Sequence, residues 1–178
     1  MNQSMQKCLF LDRDGIINKD IGYAYKPEHV EFVPGIFELC RFFQQKGYLL
    51  IVVTNQSGIA RGYYSEEDFT VLNQWLKAAF TAENIHLSDI FHCPHHPDIT
   101  GPCNCRKPAP GMLLEAIKKY RIDPQFSIMI GDKPSDMEAA MAANIRHRIL
   151  LAAAPDTKAP AATALIKALN DIYQLDLS

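Results

Sequence analysis

The run Cys8-Leu9-Phe10-Leu11 passes without a break into Asp12-Arg13-Asp14-Gly15. A short apolar run that opens on a polar loop reads as a buried central strand. In an open α/β sheet the ligand crevice lies beyond the carboxyl ends of the strands. Asp12 and Asp14 are therefore expected at that mouth, able to share a cation while doing separate jobs. Taken alone, the stretch also fits a strand followed by an Asx-type turn, because Asp and Gly favour turns.

The same pattern returns twice. Tyr48 to Val53 is a second buried strand opening on Thr54-Asn55-Gln56-Ser57-Gly58, and Phe126 to Ile130 a third opening on Gly131-Asp132-Lys133-Pro134-Ser135-Asp136. Between the first two, Asn18 to Phe32 reads as a loop or small hairpin at the crevice rim. Val33-Pro34-Gly35 then starts a helix with Ile36, Leu39, Cys40 and Phe43 on one face, ending at Gly47. Strand, helix, strand over this length is a right-handed parallel crossover. Ser65 to Asp68 resembles a capping box for a helix carrying Phe69, Leu72, Leu76, Ala79 and Phe80, with Trp75 packed beside that stripe. Asp89 to His92 reads as a short strand, and a helix after Pro110 turns Leu113, Leu114 and Ile117 inward. An alanine-rich helix runs to Asn144, Arg148 to Leu151 forms the last strand, and Ala152 to Pro160 is linker-like. A final helix docks through Leu165, Ile166, Leu169 and Ile172. The fold class expected is α/β, a Rossmann-like three-layer αβα sandwich on a mainly parallel sheet, with residues 1–178 as one domain.

In a parallel sheet, Asp12 and Asp14, Thr54 and Asn55, and Asp132 and Asp136 share one edge. Carboxylates gathered there repel one another unless a cation is present, and oxygen ligands favour Mg2+. Lys107 and Lys133 add positive charge for an anionic substrate, so the set reads as phosphoryl transfer. The net charge of -2 gives no field to gather nucleic acid or an anionic membrane. No apolar run approaches the roughly 20 residues that span a bilayer, and the first residues lack the form of a signal peptide. A cytoplasmic, monomeric enzyme is expected. The five cysteines are an odd number, three of them clustered, which suits a metal site better than a disulfide framework. Cys93-x-His95 and Cys103-x-Cys105 supply three thiolates and an imidazole, a set for tetrahedral structural Zn2+, with His96 as a competitor for His95. Cys8 and Cys40 read as small core residues.

These motifs resemble those of the haloacid dehalogenase-like phosphatases. The residues concerned are Asp12-Arg13-Asp14-Gly15, Thr54-Asn55-Gln56-Ser57-Gly58, Arg106-Lys107-Pro108 and Gly131-Asp132-Lys133. The closer resemblance, over Cys8 to about Leu151, is to the branch holding the histidinol-phosphate and heptose-bisphosphate phosphatases, with the run at 55–62 especially specific. It implies a capless domain with a zinc loop at about 92–107, and removal of the 7-phosphate of a heptose 1,7-bisphosphate for lipopolysaccharide precursors. Asp12 would be the nucleophile, Asp14 the general acid and base, Thr54 a hydroxyl donor and Lys107 a fixed cation. Mg2+ would be held by Asp12, the Asp14 backbone carbonyl and Asp132. Zn2+ would be held by Cys93, His95, Cys103 and Cys105, the family's Cys-x-His pattern favouring His95 over His96. The sugar bisphosphate would meet Arg13, Asp20, Ile21, Gly22, Tyr23, Asn55, Gln56, Ser57, Arg106 and Lys133, with Arg106 for the second phosphate. Asp136 would orient Lys133 or a metal-bound water. Ile16 departs from the Thr or Val usual in the family, and a packing difference is expected there.

Three rival readings stand beside this one. A histidinol-phosphate phosphatase shares the catalytic set and would use Asp20 or Glu28 for the substrate's ammonium group. A non-catalytic phosphate-binding module has no need of an acid at Asp14. A zinc-dependent interaction protein leaves the three strand-end loops unexplained.

Overall fold

The computed structural model describes residues 5–152 and 158–177. Six strands form one sheet: β1 (Lys7–Leu11), β2 (Tyr48–Asn55), β3 (Asp89–Cys93), β4 (Ile128–Gly131), β5 (His147–Leu151) and β6 (Ala164–Ile166). Their order is β3-β2-β1-β4-β5-β6, and every pairing is parallel. The chain runs outward from β1 to one side, then returns to place β4 against β1's other edge. The β1/β4 boundary is thus the topological switch point, where such sheets bind ligands. Asp12 follows β1 and Asp132 follows β4, so both carboxylates flank that point.

Alternation along the strands sends side chains to two cores. Leu9, Leu11, Leu50 and Val52 face α1 (Ile36–Gln45) and α2 (Glu66–Ala82), while Cys8, Phe10, Ile51 and Val53 face α4 (Gly111–Tyr120) and α5 (Pro134–Ala142). A one-turn helix, α3 (Pro97–Thr100), lies between β3 and α4. This is the three-layer αβα arrangement expected. Ile36, Leu39, Cys40 and Phe43 are the buried face of α1, and the Ser65–Asp68 capping box is formed. Ile16 is fully buried in the first core. Trp75 is half-buried and stacks on Phe32, ring centroids 6.0 Å apart.

Four expectations need correction. Phe126 is exposed: Pro124–Phe126 is a 3-10 turn, with the Asp123 carboxylate accepting from the Gln125 amide, and the strand begins only at Ile128. In α4 the inward residues are Met112, Leu113 and Ala116, whereas Leu114 faces solvent. β5 is not the last strand, and Leu165 and Ile166 are not helical. Ala164–Ile166 pairs with Ile149–Leu151, because the open backbone edge of β5 takes the segment up at strand period. Leu169 and Ile172 still dock, from a 3-10 segment at Leu169–Gln174. The linker-like stretch at 152–160 lies largely outside the described residues.

Candidate active site

The loop after β1 turns back through Gly15, whose φ of 97° lies in the left-handed region. A Cβ there would stand 2.3 Å from Asp132 Oδ2, so only glycine lets the β1 and β4 loops approach this closely. At the meeting point Lys107 Nζ lies 2.9 Å from Asp12 Oδ1, 2.7 Å from Asp136 Oδ1 and 2.8 Å from the Val53 carbonyl oxygen. Its three ammonium protons are thereby matched by three acceptors. All three charged side chains are buried.

Burial raises the Asp12 carboxyl to about 7, with the Lys107 ammonium opposing and the Asp136 charge adding to the rise. Burial likewise raises Asp132 to about 6 against the pull of Lys133. For Lys107, burial pulls downward, but the ion pairs with Asp12 and Asp136 outweigh it and leave the amine above its ordinary value. Carboxylates held this way call for a further cation. Oxygens of Asp12, Asp132 and Asp136 all lie within 4.8 Å of one another. Asp136 is already committed, Oδ1 to Lys107 and Oδ2 to the Lys133 backbone N–H at 3.0 Å. Asp132 Oδ1 is buried with no hydrogen-bond partner among the described residues. Asp12 takes Lys107 and the Arg13 amide on Oδ1 alone. Open oxygens on Asp12 and Asp132 fit Mg2+, a hard cation that takes few carboxylates. Asp136, expected to orient Lys133 or a metal-bound water, holds Lys133 by its backbone N–H and also fixes Lys107.

Above this floor opens a cleft of about 370 Å³ lined by Asp14, Asp20, Gly22, Tyr23, Asn55, Gln56, Ser57, Tyr64, Arg106, Lys107 and Lys133. A groove of about 430 Å³ between Lys7, Phe42, Tyr48 and Tyr173 is larger but holds none of these groups. Lys133 Nζ bridges to Asp20 Oδ2 at 3.0 Å across the cleft mouth. Ile21 and Tyr23 are exposed, with Tyr23 edge-on to Tyr63. Three of the residues expected to meet substrate have their side chains engaged by the protein. Arg13 is 1% exposed and donates from Nε and Nη2 to Asp14 and from Nη2 to the Ala24 carbonyl. Asn55 pairs with the Lys107 backbone at both its amide oxygen and nitrogen. Gln56 is 2% exposed and bonds to Thr54, Asp14 and Tyr64.

The three cysteines and His95 are drawn together as expected. Cys93, Cys103 and Cys105 place their sulfurs 2.9–3.6 Å apart, and His95 Nδ1 lies 3.2 Å from Cys105 Sγ and 3.7 Å from Cys93 Sγ. These are the edges of a small tetrahedron, close to the about 3.8 Å that Zn–S bonds of about 2.3 Å impose. All three thiols are free, and the arrangement fits a four-ligand metal site rather than a disulfide. His96 is not part of it: it caps α3 through the Asp98 amide and meets Arg61 at 2.7 Å. The Arg106 amide bonds toward Cys103 and helps pull that thiol down to about 6 against its burial, while Arg106 Nη1 donates to the His95 carbonyl. The cluster therefore holds Arg106 and Lys107 at the cleft.

Asn18, which donates to Asp14 at 2.9 Å, and Tyr64 were not expected at the site. Neither lies in a motif with a local signature; Asn18 turns back onto Asp14 four residues earlier, and Tyr64 onto Gln56 eight residues earlier. Asp136 carried a signal, as the next carboxylate after Asp132 at the same strand end.

A parallel sheet with a buried carboxylate–lysine–carboxylate floor at its switch point defines an enzyme of phosphoryl transfer. Residues 3–144 match the haloacid dehalogenase-like hydrolase family. The chain is 52% identical to the D-glycero-alpha-D-manno-heptose-1,7-bisphosphate 7-phosphatase of Campylobacter jejuni, over 82% of each chain. It is 44% identical to the beta-anomer 7-phosphatase of Haemophilus influenzae, over 83% of this chain and 82% of that one. Its structure superposes on the D,D-heptose 1,7-bisphosphate phosphatase of B. bronchiseptica, complexed with magnesium and phosphate. That match has a TM-score of 0.82 and 27% identity, covering 95% of this chain and 97% of the other. The chain belongs to the haloacid dehalogenase-like hydrolases.

Proposed function

We propose that this chain is a heptose 1,7-bisphosphate 7-phosphatase working as one capless domain, with structural Zn2+ and catalytic Mg2+. It would serve cytoplasmic synthesis of nucleotide-heptose precursors for lipopolysaccharide and act as a monomer. Asp12 attacks the 7-phosphorus; the P–O bond to the sugar breaks, and Asp14 delivers its proton to the leaving oxygen. Asp14 then takes a proton from water as that water attacks the aspartyl phosphate, releasing phosphate and restoring Asp12. Thr54 donates to a phosphoryl oxygen, and Lys107 supplies fixed charge beside it. Mg2+, held by Asp12, Asp132 and the Asp14 carbonyl, would offset charge on the phosphoryl oxygens. The sugar meets the rim at Asp20 to Tyr23 and the backbones of Arg13 and Asn55 to Ser57, with Lys133 at the mouth.

The observation that favours a bisphosphate is Arg106, held by the metal loop on the cleft wall next to Lys107. It is a second cationic station for a second phosphate. A histidinol-phosphate phosphatase would want a free carboxylate for the ammonium group. Asp20 is instead paired with Lys133, and Glu28 is exposed and does not line the cleft. The test is phosphate release with Mg2+ from both anomers of heptose 1,7-bisphosphate and from histidinol phosphate. The expected kcat/KM favours a heptose bisphosphate by about 100-fold or more. Preference for histidinol phosphate would move the enzyme to the amino-alcohol substrate on the same catalytic residues.

A further inference from the structure

The Asp14 carboxylate accepts from the Arg13 guanidinium, with Arg13 Nη2 at 2.9 Å from Oδ2, and from Asn18 Nδ2 at 2.9 Å. Both Asp14 oxygens accept from their neighbours, and a general acid keeps its proton for the leaving group, so the Gln56 group 3.0 Å from Asp14 Oδ2 is the amide nitrogen. That assignment fixes everything attached to it. The same nitrogen lies 2.8 Å from Thr54 Oγ1 and donates its second proton there. Thr54 therefore accepts from Gln56, and its own hydroxyl proton is left to point elsewhere. The amide oxygen of Gln56 faces the Tyr64 hydroxyl, 2.5 Å away, so Tyr64 is the donor. Tyr64 is buried, and burial pushes its phenol up to about 12, so it keeps its proton at working pH. Its ring stacks on Tyr25 at 5.3 Å and lies against Gly58, where a Cβ would come within 2.2 Å of it.

We propose that Gln56 is a positioning residue that sets the hydrogen-bond polarity of the site, with Tyr64 as the lock on its amide. Tyr64 donates to Gln56, Gln56 donates to both Thr54 and Asp14, and Thr54 is left with its proton free for the phosphoryl oxygen. One amide thereby aligns the phosphoryl donor and the general acid. A flipped amide would turn its oxygen on the Asp14 carboxylate and take the Thr54 proton for itself. This rests on the phosphatase reading above.

The test uses Gln56→Glu and Tyr64→Phe in the full chain with Mg2+. At pH 8 an ionised glutamate accepts where Gln56 donates, and kcat is expected to fall about 100-fold with KM within about 3-fold. Tyr64→Phe keeps the ring packing and is expected to lower kcat about 10-fold. As pH falls toward 5, a protonated glutamate regains an O–H donor, so the ratio of Gln56→Glu to wild-type kcat is expected to climb. A merely structural role leaves that ratio flat. Orthovanadate with Mg2+ gives a readout independent of turnover, and its affinity is expected to drop about 10-fold in Gln56→Glu. Wild-type kcat and vanadate affinity in both variants, or a loss in Gln56→Glu that does not change with pH, would overturn the relay. Absence of both phosphate release and vanadate binding in the wild-type protein would instead defeat the phosphatase reading, and the relay with it.

Discussion

Lys107 and its two carboxylates show how much of this site is electrostatic balance between single residues. Asp12 is desolvated, paired with Lys107 and within reach of Asp132, so it is a carboxylate whose charge the fold both opposes and uses. On the proposed mechanism, replacing it by asparagine removes the nucleophile and a negative ligand for Mg2+ together. Asp12→Asn is expected to lower kcat by about 10³-fold or more. The check is phosphate release under saturating substrate, and turnover near the wild-type value would end the nucleophile assignment. The motif spacing made Asp12, Asp14, Thr54, Lys107 and Asp132 legible in the sequence, because each follows a strand or sits at a characteristic step. It could not show that Arg13, Asn55 and Gln56 turn their side chains inward, since that depends on which acceptors the folded chain brings alongside.

At the scale of elements, the metal loop between β3 and α4 does a structural job for the catalytic cleft. Cys93 ends β3, where the Gln56 backbone N–H donates to its carbonyl at 2.8 Å, and the Asn55 side chain clamps the Lys107 backbone from the β2 loop. The loop at 93–107 is thus tied at both ends to the loop that carries Thr54. A structural metal there would hold Arg106 and Lys107 in register through the ligands' own neighbours. Cys105→Ser is expected to abolish stoichiometric zinc, raise KM about 10-fold and affect kcat less. Metal analysis alongside kinetics checks this; unchanged kinetics in verified zinc-free protein would refute the scaffold role. Elements also account for the two largest errors of the linear reading. Phe126 lies in a turn that Pro124 and Asp123 start, and Ala164–Ile166 becomes a strand because β5 offers an open edge.

Across the whole molecule, the sheet concentrates negative charge at its switch point, and the protein's stability should register that. Asp12 and Asp132 hold protons in the folded state, at about 7 and about 6, that they release near 3.8 when unfolded. Between those limits the native state binds more protons than the unfolded chain, so stability falls as pH rises through the window. Lys107 is also raised in the folded state, so its slope has the same sign, but only above about 10.5; across this window its stabilising contribution is complete and constant. Metal-free protein is expected to lose Tm from pH 5 to pH 8, and Mg2+ to restore more at pH 8 than at pH 5. For a chain of this length each kcal/mol corresponds to about 2–4 °C. Thermal melts with and without Mg2+ at both pH values measure it, and an equal Mg2+ increment at the two would contradict the charge balance.

The sequence by itself determined the αβα class, the strand-end placement of the carboxylates, the Cys3His cluster and the family. It could do so because apolar runs that end in Asp, Thr or Gly are local patterns, and local spacing survives in one dimension. Only the tertiary structure decided that Asp136 holds Lys107 and that Tyr64 reaches Gln56. Each of those depends on contacts between segments far apart in the chain, or on which way a side chain turns once neighbours compete for its protons. Hydrogen-bond polarity belongs to the assembled network, and no single stretch of this sequence contains it.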